Sequence, residues 1–154
     1  MRGTYREQLD RTTRALARLR EIYLGRVHDR TSDEYRDCVL WFFQNCHHLK
    51  DWLANDPSGR FASKDVEGYI NDNTDLQLCA DLCNGSKHLT IDRNRSAENP
   101  RLGGQSATID VAAQRISISF AVETDGGARD ALDLAERCTQ LWVDFITRSG
   151  EITS

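Results

Sequence analysis

Leu78-Cys79-Ala80-Asp81-Leu82-Cys83-Asn84-Gly85-Ser86-Lys87-His88-Leu89-Thr90-Ile91 is the stretch in which the chain changes from helical to strand-like sequence. Its first half continues a narrow stripe, Leu76, Cys79, Leu82 and Cys83, at the three- and four-residue steps of an amphipathic helix. Its second half alternates, Leu89 and Ile91 against Thr90 and Asp92, as a half-buried strand does. Asp81, Asn84, Lys87 and His88 form a polar set across the junction, spaced so that most of them share one helical face.

Upstream, everything reads as helix. Leu9, Leu16, Leu19, Ile22, Tyr23 and Val27 predict a one-faced helix from Tyr5 to about His28. Its outer face carries Arg11, Arg14 and Arg18 among Glu7, Asp10 and Glu21, which predicts a solvated face with intrahelical ion pairs. Thr31 and Glu34 form a capping box that opens a second helix running to about Asn55. Tyr35, Val39, Phe42, Cys46, Leu49 and Leu53 are its stripe, and Trp41, Phe43, His48 and Trp52 widen it, so this helix is expected at the centre. Asn55 to Gly59 stop it with turn chemistry around Pro57. A short helix follows from Ser63, a candidate cap, to Asn71, and Asn73 or Thr74 caps the next, from about Asp75.

Downstream, three short strands are expected between about residues 87 and 124: one at Leu89 and Ile91, one at Ile109 and Val111, and one from Ile116 to Val122. Asn94 to Ser106 reads as a long polar connection, and Ala113, Gln114 and Arg115 as a tight hairpin. Asp125, Gly126 and Gly127 turn the chain into a last helix from about Ala128 to Arg148, with Gly150 as its cap. The predicted fold is mainly α with a small β part: one domain over residues 1–154, a four-helix bundle with a three-stranded antiparallel sheet inserted before the last helix.

Composition narrows the function classes. A length of 154 residues with 39% hydrophobic residues closes a single core without metals or disulfides. A formal charge of -4 supplies no global positive field toward nucleic acid. Lysine occurs only at 50, 64 and 87, an arginine bias that fits a GC-rich bacterial genome. The five cysteines sit in helical, apolar surroundings without a CxxC pair and read as reduced core residues. The N-terminus has no apolar leader core, and the apolar run Cys38 to Phe43 is far short of a bilayer span. A soluble, cytoplasmic protein with no membrane partner is therefore expected.

Two polar clusters interrupt apolar helices: His47, His48, Lys50 and Asp51, and Asp81, Asn84, Lys87 and His88. Facing each other, they would form a mixed nitrogen and oxygen pocket for proton transfer, with His48, Asp51, Trp52 and Asp81 as its binding residues. The paired Glu-x-x-His pattern of di-iron bundles is absent, and no metal site is assigned. Phosphate-binding glycine loops, the G-x-S-x-G elbow, HExxH and the dinucleotide fingerprint are also absent, and no cofactor is implied. Cys46 and Cys83 follow buried stripes, where thiols are inert.

The helical layout and the run Cys83-Asn84-Gly85-Ser86-Lys87-His88 resemble the HEPN superfamily, four-helix-bundle proteins of bacterial toxin, defence and mobile-element systems. Its active members are metal-independent ribonucleases that work as dimers. Their motif is an arginine, a polar residue, three variable positions and a histidine; Asn84 and His88 match it, and Cys83 stands where the arginine belongs. The resemblance implies His88 as acid or base on a ribose hydroxyl and Lys87 as the cation that steadies the phosphate. Against that stands a noncatalytic binding protein, a homodimer holding a partner, small ligand or RNA in a cleft between the second helix and the junction. The surplus of aromatics, Trp41, Phe42, Phe43, Trp52 and Trp142, motivates this first reading.

Overall fold

The computed structural model describes residues 3–25, 31–86 and 95–151. Five helices, α1 (Tyr5–Leu24), α2 (Ser32–Ala54), α3 (Ser63–Asn71), α4 (Thr74–Gly85) and α5 (Ala131–Glu151), surround one core, and strands β1 (Arg101–Asp110), β2 (Arg115–Thr124) and β3 (Gly127–Asp130) precede α5. The sheet is antiparallel in the order β1-β2-β3. The expected class, a helical bundle with a three-stranded sheet before the last helix, is what forms, with α3 as a short fifth helix.

α2 lies at the centre, as its broad apolar circumference requires. Tyr35, Val39, Phe42, Phe43, Cys46, Leu49 and Leu53 are all buried. Its capping box is complete: Thr31 Oγ1 accepts the Glu34 N–H at 3.3 Å and Glu34 Oε2 accepts the Thr31 N–H at 2.9 Å. Such a cap stabilises a helix by about 1 kcal/mol. α3 begins at Ser63, but its cap position is Ala62 and no side chain caps it.

α1 runs antiparallel to α2. At one end the Tyr5 N–H donates to Asp56 Oδ2 at 3.0 Å, and further along Gln8 Nε2 donates to the Asn45 carbonyl at 2.9 Å. α1 ends at Leu24, with Val27 and His28 outside the described residues. Gly25 caps it at φ 93°, where a Cβ would come within 2.6 Å of Ser117 Oγ on β2. Positive φ and this close approach both require glycine. The Tyr23 hydroxyl ties α1 to the sheet and to the start of α5. It lies 2.9 Å from Asp130 Oδ1 and accepts the N–H groups of Phe120 at 3.0 Å and Leu132 at 3.3 Å. Burial pushes its pKa up to about 12.

The strands differ in place from the sequence expectation. Leu89 and Ile91 lie outside the described residues. The segment read as a polar connection contains the first half of β1, whose residues from Gln105 onward are exposed. An edge strand in water has no buried face to impose alternation, so its sequence looks like loop. The hairpin turn takes residues 111–114 and not 113–115, because Asp110 Oδ1 accepts the Ala113 N–H at 3.1 Å and Gln114 adopts φ 53°. Val111 is therefore in the turn. After it, Asp125 and Gly126 turn the chain in a second hairpin into β3, and α5 starts at Ala131 with Asp130 Oδ2 accepting the Asp133 N–H at 3.0 Å. α5 continues through Gly150 to Glu151, so Gly150 does not end it.

Candidate functional site

The expected surplus of aromatics is mostly absorbed by the core: Phe42, Phe43 and Trp142 are buried, Trp52 is half-buried, and Trp41 keeps 39% of its surface exposed. Trp142, Tyr69 and Phe145 pack ring on ring, with Tyr69 and Phe145 centroids 4.9 Å apart. Cys46, Cys79 and Cys138 are fully buried where α2, α4 and α5 meet. The Cys79 thiol donates to the Phe43 carbonyl at 3.5 Å and the Cys138 thiol to the Asp75 carbonyl at 3.2 Å. Burial pushes both thiols well above the ordinary cysteine range. Cys83 is equally buried.

The polar residues of α2 and α4 serve two different places. The first is a seam of ion pairs and hydrogen bonds between α2, α3, α4 and residues 95–96. Asp81 on α4 is completely buried, and its oxygens accept the Arg95 N–H at 2.7 Å, the Ser96 N–H at 2.9 Å and the Ser96 hydroxyl at 2.6 Å. Arg95 then pairs with Glu67 of α3 at 2.9 Å, and Glu67 with Lys50 of α2 at 3.2 Å. Lys50 also reaches Asp51 at 3.3 Å. His47 is buried beside this chain of charges, and its pKa falls to about 4 through burial first and then the positive charges of Lys50 and Arg95. Glu67, Arg95 and Ser96 carry no sequence motif. The one readable signal was Asp81, a carboxylate inside an otherwise apolar helix, which had to find donors.

The second place is an open groove of about 520 Å³ running along α2 between α1 and the end of α4. Glu34, Asp37, Trp41 and Gln44, at helical steps on one face of α2, line it together with Arg18 of α1 and Ser86 after α4. The Arg18 guanidinium lies 5.6 Å from the centre of the Trp41 ring, and Gln44 Nε2 donates to Ser86 Oγ at 2.9 Å. Arg11 stands in the same way 5.1 Å from the Trp52 ring. The arginine face of α1, expected to hold intrahelical ion pairs, thus covers tryptophans of α2. Arg11 and Arg18, two turns apart, match Trp52 and Trp41, three turns apart, along an antiparallel pair, a correspondence legible in the sequence once the pairing is assumed.

Of the residues singled out beforehand, Asp51 and Trp52 line a separate hollow with Gly3 and Asn55. His48 and Asn84 are half-buried, and Asp81 belongs to the seam. Lys87 and His88 lie outside the described residues. Among the described residues, no group of three or more His, Cys, Asp or Glu side chains is arranged to hold a metal ion. No helix among them is long and apolar enough to cross a membrane.

The chain matches no family model, no curated protein and no solved structure. What fold and geometry define is a class: a helical bundle with an appended antiparallel sheet and a polar groove beside a partly exposed tryptophan.

Proposed function

We propose that this protein is a noncatalytic binding protein that holds a polypeptide segment in the groove between α1 and α2. The observation that carries the reading is Trp41, left 39% exposed under Arg18 in an open groove, while the other two tryptophans are buried or half-buried. Tryptophan and arginine are the side chains that most often dominate protein interfaces. Asp37 beside them favours a cationic or amide-bearing side chain on the segment. Among the described residues, no histidine, the common proton-transfer side chain of active sites, lines the groove. A thermal-shift screen of small ligands and a peptide panel is expected to give hits that disappear in Trp41→Ala, a variant whose exposed position leaves the fold intact. A flat screen, or hits unchanged by Trp41→Ala, overturns the reading.

One observation supports a second reading, a metal-independent ribonuclease acting through His88 with Asn84 and Lys87. Cys83, at the motif's arginine position, is buried and cannot reach a phosphate, whereas Arg18 brings a guanidinium to the groove that ends at Ser86. Mixed RNA incubated with the protein in EDTA distinguishes the two. Cleavage that vanishes in His88→Ala supports the nuclease; intact RNA, or cleavage indifferent to that change, leaves the binding protein.

A further inference from the structure

β1 is an edge strand. Its inner side pairs with β2, and its outer side has no strand beside it among the described residues. Which main-chain groups point outward follows from the ladder. Phe120 of β2 turns its N–H and carbonyl toward the Tyr23 hydroxyl, at 3.0 and 3.1 Å, on the side away from β1. Main-chain direction alternates along a strand, so Ser119 and Ser117 face β1, and their partners Ser106 and Thr108 face β2. Gln105, Ala107 and Ile109 therefore direct their N–H and carbonyl groups outward.

Three features mark this edge as a pairing site. Each residue of Gln105-Ser106-Ala107-Thr108-Ile109 is exposed, and the run contains no charge and no proline, the residues with which proteins ordinarily blunt an edge. The apolar face of the sheet, shared by Ile116, Ile118 and Phe120, continues across the ladder onto Ala107 and Ile109, beyond the cover of the helices. Ile109 remains 67% exposed and Val111 of the turn 82%. Among the described residues, the edge is blocked only at its beginning, where Arg36 donates to the carbonyls of Leu102 and Gly103, the latter at 2.9 Å.

We infer that a second copy of this chain pairs antiparallel along β1, about a two-fold axis at Ala107, joining the two sheets into one. The sequence is self-complementary in that register. Ala107 meets Ala107 of the other copy, Gln105 meets Ile109, and Ser106 meets Thr108, so each outward amide of Gln105, Ala107 and Ile109 finds a carbonyl, about six new main-chain hydrogen bonds in all. Asp110 falls opposite Gly104, so no like charges are opposed. A second copy is favoured over an unrelated strand because the two-fold register satisfies both copies at once and keeps each charge away from its symmetry mate. This interface lies apart from the α1–α2 groove, so dimerisation and groove binding fail independently.

Ala107→Pro removes one outward N–H at a position where the inner ladder makes no use of it, and Ala107→Lys places like charges at the axis. Sedimentation is expected to show a dimer for the native chain and at least a tenfold weaker self-association, by order of magnitude, for either variant. Mixing Ala107→Lys with Ala107→Glu restores dimers, which separates a lost interface from a damaged fold. Hydrogen exchange at Gln105, Ala107 and Ile109 slows as native protein concentration rises. A strict monomer, a dimer indifferent to all three changes, or amides protected equally at every concentration, which would mean that the same chain covers the edge, each overturns the inference.

Discussion

Replacing Asp81 by alanine is expected to destabilise the fold by about 3 kcal/mol or more. Asp81 is completely enclosed, and among the described residues the hydrogen bonds that compensate its burial come from two consecutive residues, the N–H groups of Arg95 and Ser96 and the Ser96 hydroxyl. Alanine leaves those donors facing an apolar helix, and each buried unsatisfied group costs about 1–3 kcal/mol. Asparagine keeps one acceptor oxygen and turns an amide toward donors, so Asp81→Asn should lose a large part of the same energy. Ser96→Ala removes one hydroxyl and costs only about 1 kcal/mol. Urea unfolding at neutral pH measures all three. For a domain of this size the alanine variant should also melt roughly 10 °C lower, at about 2–4 °C per kcal/mol. An Asp81→Ala protein within 1 kcal/mol of native, by rough margin, would show that residues 95–96 find other acceptors and that the seam does not hold them.

The seam shows where sequence reasoning reached and where it stopped. Local rules located what depends on neighbours in the chain. The capping box of Thr31 and Glu34, the stripe of α2 and the termination after Ala54 form as read, since each is decided within a few residues. The end of β1 at Ile109 reads as strand, but its first half reads as loop, because an exposed edge strand borrows its order from β2 and needs no alternation of its own. β3 was missed because Gly126-Gly127 signals a turn without saying whether strand or helix follows.

The candidate site divides along the same line. Asp81 announced itself by being charged among Cys79, Ala80, Leu82 and Cys83, but its donors lie 14 and 15 residues away, past any local pattern. Arg18 and Trp41 meet only because α1 and α2 run antiparallel, so a face that reads as solvated in one helix becomes half of a groove in two. Asp81 and Asp51, which the sequence allowed to share one open pocket, are joined instead through Arg95, Glu67 and Lys50.

Because the seam also encloses His47, it is expected to make the fold acid-sensitive in a narrow window. The folded protein holds the imidazole neutral, with its pKa at about 4 instead of the ordinary 6.5, by burial and by the cations Lys50 and Arg95, against a smaller opposing pull from Asp51. The unfolded chain takes up this proton near pH 6.5 and the folded one only near pH 4, so between those values the unfolded state binds more protons and gains stability. Stability contributed by the neutral His47 is complete above about pH 6.5, falls as pH drops toward 4, and changes no further below it. The ceiling of the loss is about 3 kcal/mol. Glu67, whose carboxyl burial would raise but Arg95 and Lys50 lower, acts in the other window: its contribution is present above its ordinary pKa of 4.5 and is lost only below that. Urea midpoints measured from neutral pH down to about 4.5 therefore isolate the histidine. The native protein should lose stability steadily across that range, and His47→Gln, which cannot take up the proton, should lose much less. Slopes are compared and not absolute values, because glutamine fills the site differently. Parallel slopes for the two proteins would place the acid sensitivity elsewhere.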